Sequence, residues 1–319
     1  SQPLRGVRRL SSRNGLMPES LSPAASPRTA LTMGWRSIAL FTGLALAVSW
    51  TLQIVAVQRW GLDSPQTVIM LMAVMWSPSV IALAFIFFNP AARAGLLWKV
   101  GRVAYLPLGV FIPTIIAFVI LAILVGSGLA TSGWFAFEGR GVTTTGGPWV
   151  LGDGFQAWPL FLGNVAATAV VFSVITLGVT AGEEFAWRGF LQGHLIRRIG
   201  VTRGLLLLAA IWWAYHLPVL LAGYNYPDYP ILGTFVLFPL QTLSLSFLFG
   251  WLTIRSGSFW PAALGHAALN SIQEGIIGNL QLEVPRLYLD ILRIALGLVV
   301  ALACWASLRR DAGSSVGGK

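Results

Sequence analysis

The chain has 319 residues, 56% of them hydrophobic and 10% charged, a formal net charge of +10 and one cysteine. Apolar runs of about 17 to 25 residues, enough to cross a bilayer core, recur along it and point to a polytopic membrane protein without a separate soluble domain. The lone Cys304 excludes an intrachain disulfide and a cysteine-based metal site. The Lys/Arg excess lies in tails and short connections, where membrane orientation accounts for it without nucleic acid.

Ser1 to Arg36 is rich in Arg, Ser and Pro with one acid, Glu19, and is predicted to be a disordered basic tail. It shares its acid-poor character with transit peptides, but no amphipathic pattern accompanies it, and a cytoplasmic tail is preferred. Predicted spans follow at Ser37 to Val57, Thr67 to Phe88, Val103 to Gly126, Phe155 to Val179, Gly204 to Leu221, Ile231 to Ile254, Phe259 to Ile277 and Ile291 to Leu308. The expected fold is all-α: a polytopic membrane helix bundle of about eight transmembrane helices. Residues 37–308 form one transmembrane domain, and 309–319 form a short C-terminal tail.

Ser127 to Gly154 reads as a loop, and Glu183 to Ile199 as either a continuation of the fourth span past a bend at Gly178 to Gly182 or a separate interfacial helix. Lys and Arg concentrate in the N-terminal tail, the Arg93 to Arg102 and Arg197 to Arg203 connections, Arg255 and the C-terminus. That bias predicts an integral multi-pass protein with both termini cytoplasmic. Pro78, Pro113, Pro159, Pro218, Pro239 and Pro261 fall within or at the ends of spans, where the missing N–H invites a kink.

An acid at the centre of a membrane helix costs about 2.5 to 3.5 kcal/mol on translocon scales, so each ionisable residue in an apolar span calls for a partner or a task. Glu183, Glu184, Arg188, His216, His266 and Glu274 are the candidates. Glu184 and Arg188 are four apart, one helix face, and predict an ion pair. Glu183 points about 100° around the helix, toward a different part of the bundle. His216 stands in WWAYHLP just before Pro218, and His266 in LGHAALN with Asn270 one turn later.

If these helices converge, Glu183 supported by His216 can deprotonate a water, while His266 and Asn270 donate hydrogen bonds to the resulting oxyanion. His194 lies about 16 Å along the helix from Glu183 and reads as interfacial, with Arg197 and Arg198. Glu274 reads as the polar end of its span, and Asp290 and Arg293 as boundary charges. HExxH is absent, Gly152-Asp153 is half of a GxGD motif with Val150 at its start, and neither Ser127 nor Ser258 has a histidine placed to activate it.

Three motifs in order, EExxxR at Glu183, Glu184 and Arg188, FxxxH with Trp212 in place of Phe before His216, and HxxxN at His266 and Asn270, resemble the CAAX protease and bacteriocin-processing (CPBP or Abi) family of intramembrane endopeptidases. The stretch Met75 to Pro78, MWSP, is similar to a feature found earlier in that fold. The resemblance implies a peptidase core over 155–277, with Glu183 and His216 activating water, Glu184 and Arg188 organising the site, and His266 with Asn270 forming the oxyanion hole. It also implies a protein or peptide substrate at the lipid bilayer, with prenylation left open. Two histidines and a glutamate are compatible with zinc carrying an open water position, and equally with metal-free chemistry. The alternatives are a non-catalytic scaffold or immunity protein of the same fold, and a proton-coupled transporter.

Overall fold

The structure is a computed structural model and describes residues 32–314. Most of the tail predicted over Ser1 to Arg36 therefore lies outside the described residues, as does the end of the C-terminal tail. The helices are α1 (Trp35–Trp60), α2 (Pro65–Val74), α3 (Ser77–Phe88), α4 (Leu106–Gly126), α5 (Trp158–Glu184), α6 (Gln192–Ile199), α7 (Val201–Tyr215), α8 (Leu217–Leu221), α9 (Pro230–Leu232), α10 (Phe238–Ser256), α11 (Trp260–Ala268), α12 (Glu274–Gly278) and α13 (Arg286–Ser314). The bundle is all-α in its membrane part.

Among the described residues, 6 helical stretches are long and apolar enough to cross a membrane. The two remaining predicted spans are those that carry the histidines. The fifth stops at His216, and the seventh is divided between α11 and α12 by a π-helical segment, Leu269–Gln273. Val201–Tyr215 is apolar but shorter than a span, while polar residues lower the hydropathy of the seventh, where most of the α11 side chains are covered by protein.

The alternatives for Glu183 to Ile199 resolve into one continuous path. Trp158–Ile199 runs as 42 helical residues, about 60 Å at 1.5 Å per residue. No break occurs at Gly178 to Gly182; the irregularity is a π-helical segment, Phe185–Leu191, directly after Glu184. Residues 186–196 are buried throughout, so this segment is core rather than interface. His194 accordingly is fully buried, with Nε2 3.4 Å from the Ala92 carbonyl and Nδ1 3.2 Å from Arg197 Nη2, and the interfacial assignment is corrected. Sequence periodicity places a polar residue on a face but does not say what covers that face.

The predicted loop at Ser127 to Gly154 contains short strands. β1 (Ala130–Ser132) pairs antiparallel with β5 (Leu280–Leu282), and β2 (Phe135–Glu138), β3 (Gly141–Thr144) and β4 (Gly154–Ala157) form an antiparallel sheet in that order. Phe155 therefore belongs to β4, and the following helix starts at Trp158. Pro78, Pro159, Pro218 and Pro261 occupy first-turn positions of helices, where proline's fixed φ suits helix initiation. Pro113 lies inside α4, and Pro239 lies inside the helical run Pro230–Ser256, directly after the π-helical segment Gly233–Leu237.

Asp290 and Arg293 are not boundary charges. They are 1% and 7% exposed, and Arg293 donates to Asp290 Oδ1 (3.2 Å), Glu274 Oε1 (2.7 Å) and Gln241 Oε1 (3.3 Å). Tyr226 donates to the same Gln241 oxygen at 2.9 Å and Tyr229 to Asp290 Oδ2 at 2.5 Å. This network fastens the chain after His216 and the end of the His266 helical path onto α13.

Candidate active site

The glutamate pair is positioned by contacts just before it. A Cβ on Gly182 would come within 2.8 Å of the Met75 carbonyl and the Trp76 ring, so glycine is what lets the MWSP turn pack directly on α5. The Ser79 hydroxyl donates to the Gly182 carbonyl, and the Trp76 indole to the Gly178 carbonyl at 3.0 Å. Thr180 donates to the Ala263 carbonyl at 3.0 Å and ties α5 to α11, which carries His266. The π-helical segment then follows, a deviation found most often as single bulges and frequently at functional sites.

His216 owes its place to the break before Pro218. Proline cannot donate to the Ala214 carbonyl, and the Trp50 indole N–H occupies that carbonyl instead at 2.8 Å. The His216 backbone N–H bonds to the Trp213 carbonyl at 3.0 Å, one residue short of the α-helical partner. The Trp212 carbonyl is thereby left for the His216 ring, whose Nδ1 lies 2.8 Å away. A carbonyl only accepts, so Nδ1 carries the proton and Nε2 is the nitrogen left for chemistry.

Glu183, Glu184 and Arg188 are 2%, 0% and 0% exposed, and His266 is 5% exposed. Glu184 Oε1 accepts from Arg188 Nη1 and from His266 Nδ1, both at 2.9 Å. Glu183 Oε2 accepts from the Trp212 indole N–H at 2.8 Å. The Arg188 guanidinium lies over the Trp212 ring at 4.2 Å and near the Phe249 ring at 5.3 Å. The His266 ring stacks on Phe249 at 6.0 Å and meets Trp212 edge to face at 5.5 Å. His216 is half-buried, 6.1 Å from the Trp212 ring centroid and within electrostatic reach of Glu183 and His266.

The anticipated Glu184–Arg188 ion pair is present, and the three helices meet. Two hydrogen bonds add to the sequence expectation. Glu183 is hydrogen-bonded to Trp212, and His266 is hydrogen-bonded to Glu184. Asn270 lies on the Leu269–Gln273 π-helical segment, exposed. Sequence reading passed over the donor function of Trp212, although its position four before His216 puts the two on one face. Nothing in the sequence marks Phe249, which reaches the site only through packing.

Among the described residues no three His, Cys, Asp or Glu side chains are grouped to hold a metal ion.

No curated protein matches the chain. A family model does: residues 157–272 match Rce1-like, the type II CAAX prenyl endopeptidases, and Glu183, Glu184, Arg188, His216, His266 and Asn270 lie within that stretch. The glutamates, arginine and histidines of this stretch are gathered inside a bundle of membrane-length apolar helices, and its match to the Rce1-like model agrees with the resemblance to the CAAX protease and bacteriocin-processing family.

Proposed function

We propose that this protein hydrolyses a peptide bond near the C-terminus of a membrane-presented protein or peptide, using a water activated by Glu183 and His216. Glu183 Oε2 is held by Trp212, which leaves Oε1 to accept a proton from water. His216, with its proton on Nδ1, presents the Nε2 lone pair to the same water. His266 and Asn270 stabilise the tetrahedral oxyanion, His266 through the Nε2–H of its protonated ring, since Nδ1 is engaged by Glu184. Glu184 neutralises Arg188 and orients His266, and no covalent intermediate is formed.

The observation that carries this function is the chain of contacts joining Glu183, Trp212, Arg188, Glu184 and His266 across α5, α7 and α11. A buried ion pair in a lipid-embedded fold is expensive to maintain, and its placement beside an acid with one oxygen free suits catalysis better than packing alone. In this scheme the termini face the cytoplasm, where C-terminal substrate segments would be presented.

The test is cleavage of a prenylated and an unprenylated CAAX peptide by the protein in lipid vesicles, with and without a chelator, alongside Glu183→Ala and His216→Ala. Turnover by the wild type and loss in both variants, about 100-fold or more, is expected. Equal turnover in all three would remove the mechanism, and substrate-dependent proton flux without cleavage would favour a transporter.

A further inference from the structure

We propose that Trp212 is a positioning residue, whose indole N–H holds the Glu183 carboxylate in one orientation and whose carbonyl holds the His216 ring. This role presupposes Glu183 as the proton acceptor proposed above. Trp212 is 3% exposed and touches four of the six candidate residues. Its indole N–H is a donor with no acceptor capacity, and the Glu183 carboxylate is the partner that satisfies it, at 2.8 Å.

A phenylalanine ring at this position would still offer a face to Arg188 and an edge to His266. It would offer no donor. Glu183 would then be free to rotate about its own side-chain bonds in a site where about 1 Å of misplacement can cost 100-fold in rate. The two anchors also belong to one residue. The indole N–H fixes the acid, and the carbonyl fixes the imidazole, so the separation between the two groups acting on water is set largely by the covalent frame of Trp212. The carbonyl is available for this because the His216 backbone N–H turns to Trp213 instead.

The experiment uses the full chain in lipid nanodiscs, with indole-15N tryptophan labelling. One resonance among the 14 tryptophans is assigned to Trp212 by its loss in Trp212→Phe. That resonance should move in Glu183→Gln, where a charged acceptor becomes neutral, and stay in place in Asn270→Ala. In parallel, Trp212→Phe and replacement of Trp212 by β-(3-benzothienyl)alanine, which keeps the bicyclic shape without the N–H, should lower kcat about 10- to 100-fold with KM within about twofold. Replacement by 5-fluorotryptophan, which keeps the N–H, should restore the rate.

Wild-type kcat with the benzothienyl side chain, or an indole resonance unmoved by Glu183→Gln, would overturn the proposal even if Trp212→Phe misfolds. A wild type without peptidase turnover but with a responsive resonance would overturn the hydrolytic function and the base role with it. An active wild type with an unresponsive resonance would overturn the positioning role alone.

Discussion

His266 Nδ1 lies 2.9 Å from Glu184 Oε1, linking two helices through residues 82 positions apart. The same oxygen receives Arg188 Nη1 at 2.9 Å, and both Glu184 and Arg188 are fully buried. One carboxylate oxygen thus neutralises a buried guanidinium and orients an imidazole.

Glu184→Gln removes the charge while keeping the shape. Arg188 would be left buried without its counter-charge, a situation that typically costs about 3 to 5 kcal/mol. We expect a lowered unfolding midpoint in detergent together with lost cleavage. An unchanged midpoint would mean that another group neutralises Arg188.

Asn270 separates catalysis from stability. It is exposed, so Asn270→Ala should leave unfolding within about 0.5 kcal/mol of wild type. Loss of one oxyanion donor should nevertheless lower kcat about 100- to 1000-fold. Unfolding and steady-state cleavage measured on the same preparation check both halves, and an unaffected kcat removes Asn270 from the oxyanion hole.

Trp50 satisfies the Ala214 carbonyl that Pro218 leaves without a helical donor. Trp50→Phe keeps the ring and deletes the N–H, so a part-buried acceptor goes unpaired at a cost of about 1 kcal/mol. The expected readout is faster amide exchange over α7 and α8 with a lower unfolding midpoint. Exchange identical to wild type would show that the break at His216 supports itself.

Tyr226 and Tyr229 lie in the connection between spans. Burial pushes the Tyr226 phenol up to about 12, with Asp290 adding to the rise and Arg293 opposing it; burial and the hydrogen bond to Asp290 raise Tyr229 as well. A phenol raised above its unfolded value of about 10 contributes stability that is complete below pH 10 and disappears as pH climbs through the folded value. Unfolding free energy should therefore be insensitive to these groups near neutrality and fall above about pH 10. In a 295 nm titration Tyr226→Phe should remove a component near pH 12; loss of a component near 10 would contradict the buried network.

Much of the site was legible because its motifs are local. Glu184 and Arg188 four apart must share a helix face, and their ion pair is there. Histidines within apolar segments stood out because such residues are scarce in membrane helices. The partners of Glu183 and His266 were not legible, since Trp212 and Glu184 reach them from other helices. Burial was misjudged for His194, Asp290 and Arg293 for a related reason: charge near a span end looks interfacial until the neighbouring elements are known.

The sequence by itself determined the membrane class, the all-α character and the order of the three motifs, because hydropathy and helical spacing are properties of short consecutive segments. Only the tertiary structure decided that the Glu183 path is one 42-residue helix with a π-helical insertion and that the loop at 127–154 holds strands. It also decided that Trp212 sits between the acid and the imidazole. Those outcomes depend on which backbone groups and rings are brought together by packing between distant segments, and no local pattern encodes that proximity.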